Sequence, residues 1–313
     1  MDAATVVMAA GEARWIWIHG WGASPDVWRD VIPHVPGKHD PLSFRDCRHI
    51  DDCRAQIRRR LAAVETERSG PIVLVGWSMG GMLALETVCD IMANRFERNW
   101  GKGSDGAGGL DGHMEDGDFA ELGQDEKAAD ATEGLADSFR NPGERFFQAQ
   151  TPERDVLPDG LVIISSALKF TRGDGQPEGW PERVLRRMID RLRQNPDEVL
   201  SQFHGRFRLP DGAARAMINE YSVPALASGL EYLIEADLRE KWAELGKTAR
   251  SAGLELLWIH GAEDDVCPPG AVPSADWHER HMLAGAGHAP FLTHRETFCG
   301  ILNRFCRKLG GSD

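Results

Sequence analysis

The chain has 313 residues, 42% of them hydrophobic, and a formal net charge of −13. That length suits one large α/β domain or two small ones, with apolar residues enough for a sizeable core. The acidic balance excludes a nucleic-acid binder, which needs a basic face, and no run nears the roughly 18 apolar residues of a membrane span.

Met1 to Glu12 has neither the basic start nor the apolar run of an export signal. Six cysteines (Cys47, Cys53, Cys89, Cys267, Cys299 and Cys306) show no C-x-x-C spacing. Reduced thiols and a cytoplasmic location are therefore the expectation. The charge is uneven: eleven acids against two lysines fall between Gly101 and Asp137.

Arg14-Trp15-Ile16-Trp17-Ile18 is the first predicted strand, and it runs into the Gly-rich loop His19-Gly20-Trp21-Gly22. Ser24-Pro25-Asp26-Val27-Trp28 reads as a helix start, with Ser24 as N-cap and Pro25 at the first position. Lys38 to Asp52 is polar and has no clear period. Cys47, His49 and Cys53 lie in or beside it, but their spacing matches no compact metal-ligand set. Cys53 to Glu65 has helical spacing and a basic face of Arg54, Arg58, Arg59 and Arg60, expected as a solvated surface.

Pro71 to Gly81 carries the chemistry. Ile72-Val73-Leu74-Val75 is a buried strand, Gly76-Trp77-Ser78-Met79-Gly80 a tight turn, and Met82 to Val88 the start of a helix that continues to Phe96. Strand, Gly-bounded Ser and helix in that order make a nucleophile elbow. The two glycines keep Cβ atoms out of the crowded turn, and the helix N-terminus faces any oxyanion formed at Ser78. Such an anion needs two preorganised donors. The backbone N–H groups of Trp21 and Met79 are the candidates.

Residues 98–155 are rich in Gly, Asp, Glu and Ala and read as an acidic, largely disordered insertion, with no role assigned to His113. Gly160 to Ser166 is the next buried strand. From Ala167 to about Lys241 the pattern turns helical and amphipathic, as a cap over the site. The core is then 1–97, 156–166 and 242–313. Leu254 to Ile259 is a late strand that runs into Asp264 and Asp265, two candidates for the acid that orients a base. A short strand at His281-Met282-Leu283 leads to Gly287-His288-Ala289, with His288 as general base, and Glu296 to Leu309 is a terminal helix. The chain order Ser, Asp, His completes a catalytic set.

On these residues the chain resembles the α/β-hydrolase superfamily over almost its whole length, with a mostly parallel sheet flanked by helices. More narrowly, it resembles the carboxylesterases of biotin synthesis that cut the methyl ester of pimeloyl-acyl-carrier protein (the BioH type). The features shared are His19-Gly20-Trp21-Gly22 with Trp28, Trp77 before Ser78, Ser165-Ser166, Gly229-Leu230-Glu231 ahead of Asp237-Leu238-Arg239, and His288-Ala289-Pro290-Phe291. The spacing Gly261-x-x-Asp264-x-x-x-Pro268 is that of the hydrolase acid loop and favours Asp264 over Asp265.

The resemblance implies a monomeric serine esterase without cofactor or metal. Trp21, Ser78, Met79, Phe203, Phe207 and His288 would touch substrate. Arg186, Arg187, Arg191 and Arg193, with Arg206 and Arg208, are the basic residues available to an acidic carrier protein. Two features depart from it: Ser43-Phe44-Arg45-Asp46-Cys47 replaces a Gly-rich turn, and the acidic insertion would repel an acidic carrier within a Debye length of roughly 8–10 Å. A general carboxylesterase, a thioesterase, a lyase on the same scaffold and a non-enzymatic binding module stay open as alternatives.

Overall fold

Parallel strands buried on both faces read as unbroken apolar runs, and those runs set the centre of this molecule. In a computed structural model, which describes residues 12–101, 155–209 and 217–311, six strands pair into one parallel sheet. They are β1 (Arg14–Ile18), β2 (Lys38–Pro41), β3 (Ile72–Trp77), β4 (Gly160–Ile164), β5 (Glu255–Gly261) and β6 (Glu279–Leu283), in the order β2-β1-β3-β4-β5-β6. The described residues up to Phe96 and from 155 onward form one compact unit. Most of the expected insertion, 102–154 with His113, lies outside the described residues.

Every residue of β3 is buried. The register sets Ile18 beside Gly76, Gly76 beside Ile163, and Ile164 beside Ile259. The carboxyl ends of four strands therefore meet at one edge, where open α/β sheets bind ligands. β2 was not legible as a strand: Lys-His-Asp-Pro is polar, and its proline is tolerated because β2 is an edge strand.

Helix α1 (Ile50–Thr66) buries Ile50, Cys53, Ile57, Leu61 and Val64. Its basic face is not simply solvated. Arg54 pairs with Glu86 at 2.9 Å and Arg58 with Asp90 at 3.3 Å, both on the next helix, and Arg60 pairs with Asp40 on β2. His49 caps α1, accepting from the backbone of Asp51 while Asp52 accepts from the N–H of His49. All six cysteines are free thiols.

Helix α2 (Met79–Gly101) follows the elbow and extends beyond Phe96 to Gly101. Pro25–Trp28 is a single 3-10 turn, and Ser24 precedes it without making a side-chain cap bond. The chain between β4 and β5 is not helical from Ala167. Gly173, Gly175, Pro177 and Gly179 break that stretch, which is extended and tied by bridges from Lys169 to Asp237 and from Thr171 to Trp180. The helices begin with α3 (Glu182–Leu192) and α4 (Pro196–His204), continued by a 3-10 turn at Gly205–Phe207. Then come α5 (Val223–Glu235) and α6 (Arg239–Thr248), and α6 crosses the expected boundary at 241. α7 (Pro290–Thr293) and α8 (Arg295–Leu309) close the fold. Among the described residues no helix is long and apolar enough to cross a membrane.

Gly80 is where the elbow meets β1. A Cβ there would sit 2.5 Å from the carbonyl oxygen of His19 and 2.7 Å from that of Ile18. Neither backbone atom can retreat without moving β1. Gly80→Ala is expected to destabilise by about 1–3 kcal/mol, a fall of roughly 2–12 °C in thermal midpoint. Gly205→Ala, whose Cβ would meet nothing within 4 Å, is the matched control and should leave the midpoint unchanged or slightly raised.

Candidate active site

Ser78 joins β3 to α2 with φ at +56°, in the left-handed region that costs a non-glycine residue about 1–2 kcal/mol. The neighbourhood holds it there. The Ser78 N–H donates to the carbonyl of Ile164 (2.9 Å), and the Ser78 carbonyl accepts from the N–H of Gly81 (2.9 Å) and from the Ser166 hydroxyl (2.8 Å). A Cβ on Gly76 would sit 2.3 Å from the Gly80 carbonyl oxygen, so the turn closes only with glycine there. Ser166, read from sequence only as the end of a strand, is thus a brace for the elbow.

The Ser78 hydroxyl lies 2.9 Å from Nε2 of His288, and Nδ1 of His288 lies 3.0 and 2.9 Å from the two carboxylate oxygens of Asp264. Nδ1–H donates to the acid, which leaves Nε2 free to accept the serine proton. Asp264 and His288 are buried and Ser78 is only 7% exposed. Burial alone would raise the Asp264 carboxyl. The His288 charge, the His288 hydrogen bond and lesser partners outweigh it and hold the carboxyl below its usual range. Oδ1 also accepts from the N–H groups of Val266 (2.8 Å) and Cys267 (2.9 Å). Asp265, the rival acid, is half exposed and pairs with Arg208 at 2.6 Å.

Two further residues support this line and carry no sequence signal of that role. His260 is fully buried. Its Nδ1 accepts from the Trp258 indole at 3.4 Å, so its Nε2–H donates to the carbonyl of Cys267 (2.7 Å), bracing the acid loop. Trp77 donates its indole N–H to the carbonyl of His288 (2.8 Å). The residue before the serine therefore fixes the backbone of the base.

Trp21 and Met79 flank Ser78 from the two loops expected to supply oxyanion donors. The β1 loop passes directly against the serine: a Cβ on Gly20 would lie 3.1 Å from the Ser78 Cβ. Among the described residues neither the Trp21 nor the Met79 N–H is taken by a backbone carbonyl. Helix α5 covers both residues, and a Cβ on Gly229 would lie 2.8 Å from the Trp21 ring and 3.1 Å from the Met79 sulfur.

Phe203 and Phe207 form the wall above. Phe203 meets Trp21 edge-on with centroids 5.0 Å apart, and Phe207 packs at 4.9 Å on His288 and 5.6 Å on Trp77. The structure thus brings all six expected substrate-contact residues together. The arginines divide. Arg187, Arg191 and Arg206 line an open groove of about 550 Å³ with Trp180, Met188 and Phe203. Arg186 pairs with Glu182 on its own helix, and Arg208 pairs with Asp265 and Glu263. Arg193 is exposed at the end of α3.

The chain is 27% identical over 166 residues to a pimeloyl-[acyl-carrier protein] methyl ester esterase of Xylella fastidiosa (strain M23). That match covers 48% of this chain and 62% of the relative, so less than two thirds of the relative's length is spanned. A protein of the same name from Edwardsiella ictaluri is 22% identical, with 95% of this chain and 94% of that one covered. Among solved structures, an esterase from Exiguobacterium antarcticum superposes with a TM-score of 0.60 at 16% identity, covering 96% of this chain and 93% of that one. A bromoperoxidase from Bacillus anthracis superposes with a TM-score of 0.58 at 15% identity, covering 95% and 92%. At those identities the superpositions speak for the fold alone. The sequence profile of the α/β hydrolase family matches residues 15–300. With nearly the whole chain inside that match, the protein belongs to the α/β hydrolase family.

Proposed function

We propose that this protein is a serine carboxylesterase in which Ser78 is the nucleophile, His288 the general base and Asp264 the acid that orients it. The observation that carries this reading is the unbroken line of hydrogen bonds from a buried carboxylate through an imidazole to a serine on a strained elbow. His288 takes the Ser78 proton as Oγ attacks the ester carbonyl, and the Trp21 and Met79 N–H groups hold the oxyanion. Collapse of the tetrahedral adduct breaks the ester C–O bond, and His288 returns the proton to the departing alcohol. Water activated by His288 then attacks the acyl-enzyme and frees the acid and Ser78.

For the substrate we propose the methyl ester of pimeloyl-acyl-carrier protein. The names of the relatives and the arginine-lined groove support this choice. The block 167–241 then serves as the cap. Its aromatic residues take the acyl chain, and Arg187, Arg191 and Arg206 meet the carrier's acidic surface. Arg206 is already held with its guanidinium 5.0 Å over the Trp180 ring.

Ser78→Ala should lower ester hydrolysis by roughly 10⁴-fold or more, measured with p-nitrophenyl butyrate and with the carrier-bound methyl ester; retained turnover would remove Ser78 from the mechanism. The double variant Arg187→Glu/Arg191→Glu should raise KM for the carrier-bound ester about 10-fold more than for p-nitrophenyl butyrate. That gap should narrow at high salt. Equal effects on both esters would move the substrate to a small acyl ester or thioester.

Acid should expose the Asp264 pair. Its carboxyl titrates lower in the folded chain than the ordinary 3.8, so its stabilisation is present above that value and lost as pH falls through the lowered one. The thermal midpoint of the wild type should drop on acidification below about pH 4, and Asp264→Asn should show a shallower drop over the same range.

A further inference from the structure

A second carboxylate–imidazole pair lies on the other side of Ser78, and the mechanism above does not use it. His19, the first residue after β1, is fully buried. Its Nδ1 lies 3.0 Å from the carbonyl oxygen of Gly20, and its Nε2 lies 2.8 Å from Oε1 of Glu220, whose side chain is 4% exposed. The Gly20 carbonyl oxygen can only accept, so Nδ1–H donates to it, while Nε2 and the Glu220 carboxyl share the second hydrogen bond. Glu220 comes from the segment ahead of α5. Its own N–H reaches back to the carbonyl of Ala23 at 3.3 Å.

The carboxylate is held on every side. Oε2 accepts from the Ser43 hydroxyl at 2.6 Å, and Oε1 also accepts from the N–H of Phe44. Burial would raise the Glu220 carboxyl, but the bonds from His19, Ser43 and Phe44 outweigh it and keep it below the usual carboxylate range. Ser43 and Phe44 belong to the stretch that replaces a Gly-rich turn after β2. Here that stretch is tied to the site through one side chain.

The consequence lies in the peptide between Gly20 and Trp21. The Gly20 carbonyl and the Trp21 N–H are opposite ends of one planar trans unit and point in opposite directions. A donor clamped on the carbonyl therefore sets the direction of the N–H, and it polarises that N–H as well. The loop needs such a clamp. Gly20 has no side chain to restrict it, and Gly22 sits at φ +67°. We propose that Glu220 is a positioning residue for the oxyanion hole: through His19 it locks the Gly20–Trp21 peptide with the Trp21 N–H turned toward the oxyanion. This rests on the esterase reading and adds to it a residue 142 positions beyond the nucleophile in the chain.

The test uses Glu220→Gln, which keeps the shape and removes the charge, and Glu220→Ala, which removes both. Removing an oxyanion donor outright costs roughly 10²–10³ in kcat, and that is the ceiling for misdirecting one. In p-nitrophenyl butyrate hydrolysis, kcat should fall about 10- to 100-fold for Glu220→Ala and less for Glu220→Gln, with KM within about 3-fold of wild type. The inhibition constant of an alkyl trifluoromethyl ketone, which adds to Ser78 and places an oxyanion in the hole, should rise by the same factor as kcat falls. A purely structural role would lower the thermal midpoint and the titrated fraction of active enzyme, but would leave the ketone's affinity for the folded enzyme unchanged. That result overturns the proposal. If Glu220→Ala does not fold, Glu220→Gln alone decides it by the ketone measurement. A wild type that neither hydrolyses the ester nor binds the ketone overturns the esterase reading and this role with it.

Discussion

Ser78 sits at φ +56° between a buried strand and a helix, and the local chain would not choose that conformation. It persists because its surroundings over-determine it: the Ile164 carbonyl, the Ser166 hydroxyl and the Gly81 N–H all bind the one residue. Two of those partners, Ile164 and Ser166, come from the end of β4 and depend on its register against β3. Strain of this kind collects around the same place. Ser165 at the end of β4 and Arg208 after the Phe207 wall are the other non-glycine residues with positive φ among the described residues.

The elbow alone offers an exposed hydroxyl in a tight turn. What gives it chemistry is the three loops brought against it, after β1, β5 and β6. On one side, the Asp264 carboxylate, buried with His288, is satisfied by four hydrogen bonds from the ring and two backbone amides. On the other side, Glu220 and His19 repeat the arrangement with a backbone carbonyl as the last member. A buried carboxylate–imidazole hydrogen bond holds the ring in one orientation. Two of them, on opposite flanks of one serine, fit a site that has to be aligned before substrate arrives.

The apolar strands were legible because a parallel sheet buried on both faces leaves little else for Val, Ile and Leu runs to do. β2 was not, because an edge strand needs no apolar face and Lys38 to Pro41 has none. The arginines of α1 looked solvated because helical spacing shows which residues share a face but not what lies opposite. Glu86 and Asp90 are supplied by α2 and Asp40 by β2. The helical reading of the stretch from Ala167 fails for a related reason. The glycines between 173 and 179 signal a break, yet the apolar residues around them still have helical spacing.

By itself, the sequence determined the fold class, the elbow serine and the order of the site's three polar residues. Those signals are local: a strand, a turn residue and a flanking loop lie within a few positions of each other. The acid-loop spacing favoured Asp264 over Asp265, and the tertiary structure shows Asp264 facing His288 and Asp265 turned to Arg208, since the two differ in direction rather than in type. Only the tertiary structure revealed that Trp77 holds the His288 backbone, that His260 braces the acid loop, and that Glu220 reaches His19 across 201 positions. A hydrogen bond between distant residues leaves no periodicity in a single chain. Its partners are neighbours only after the sheet has set the loops side by side.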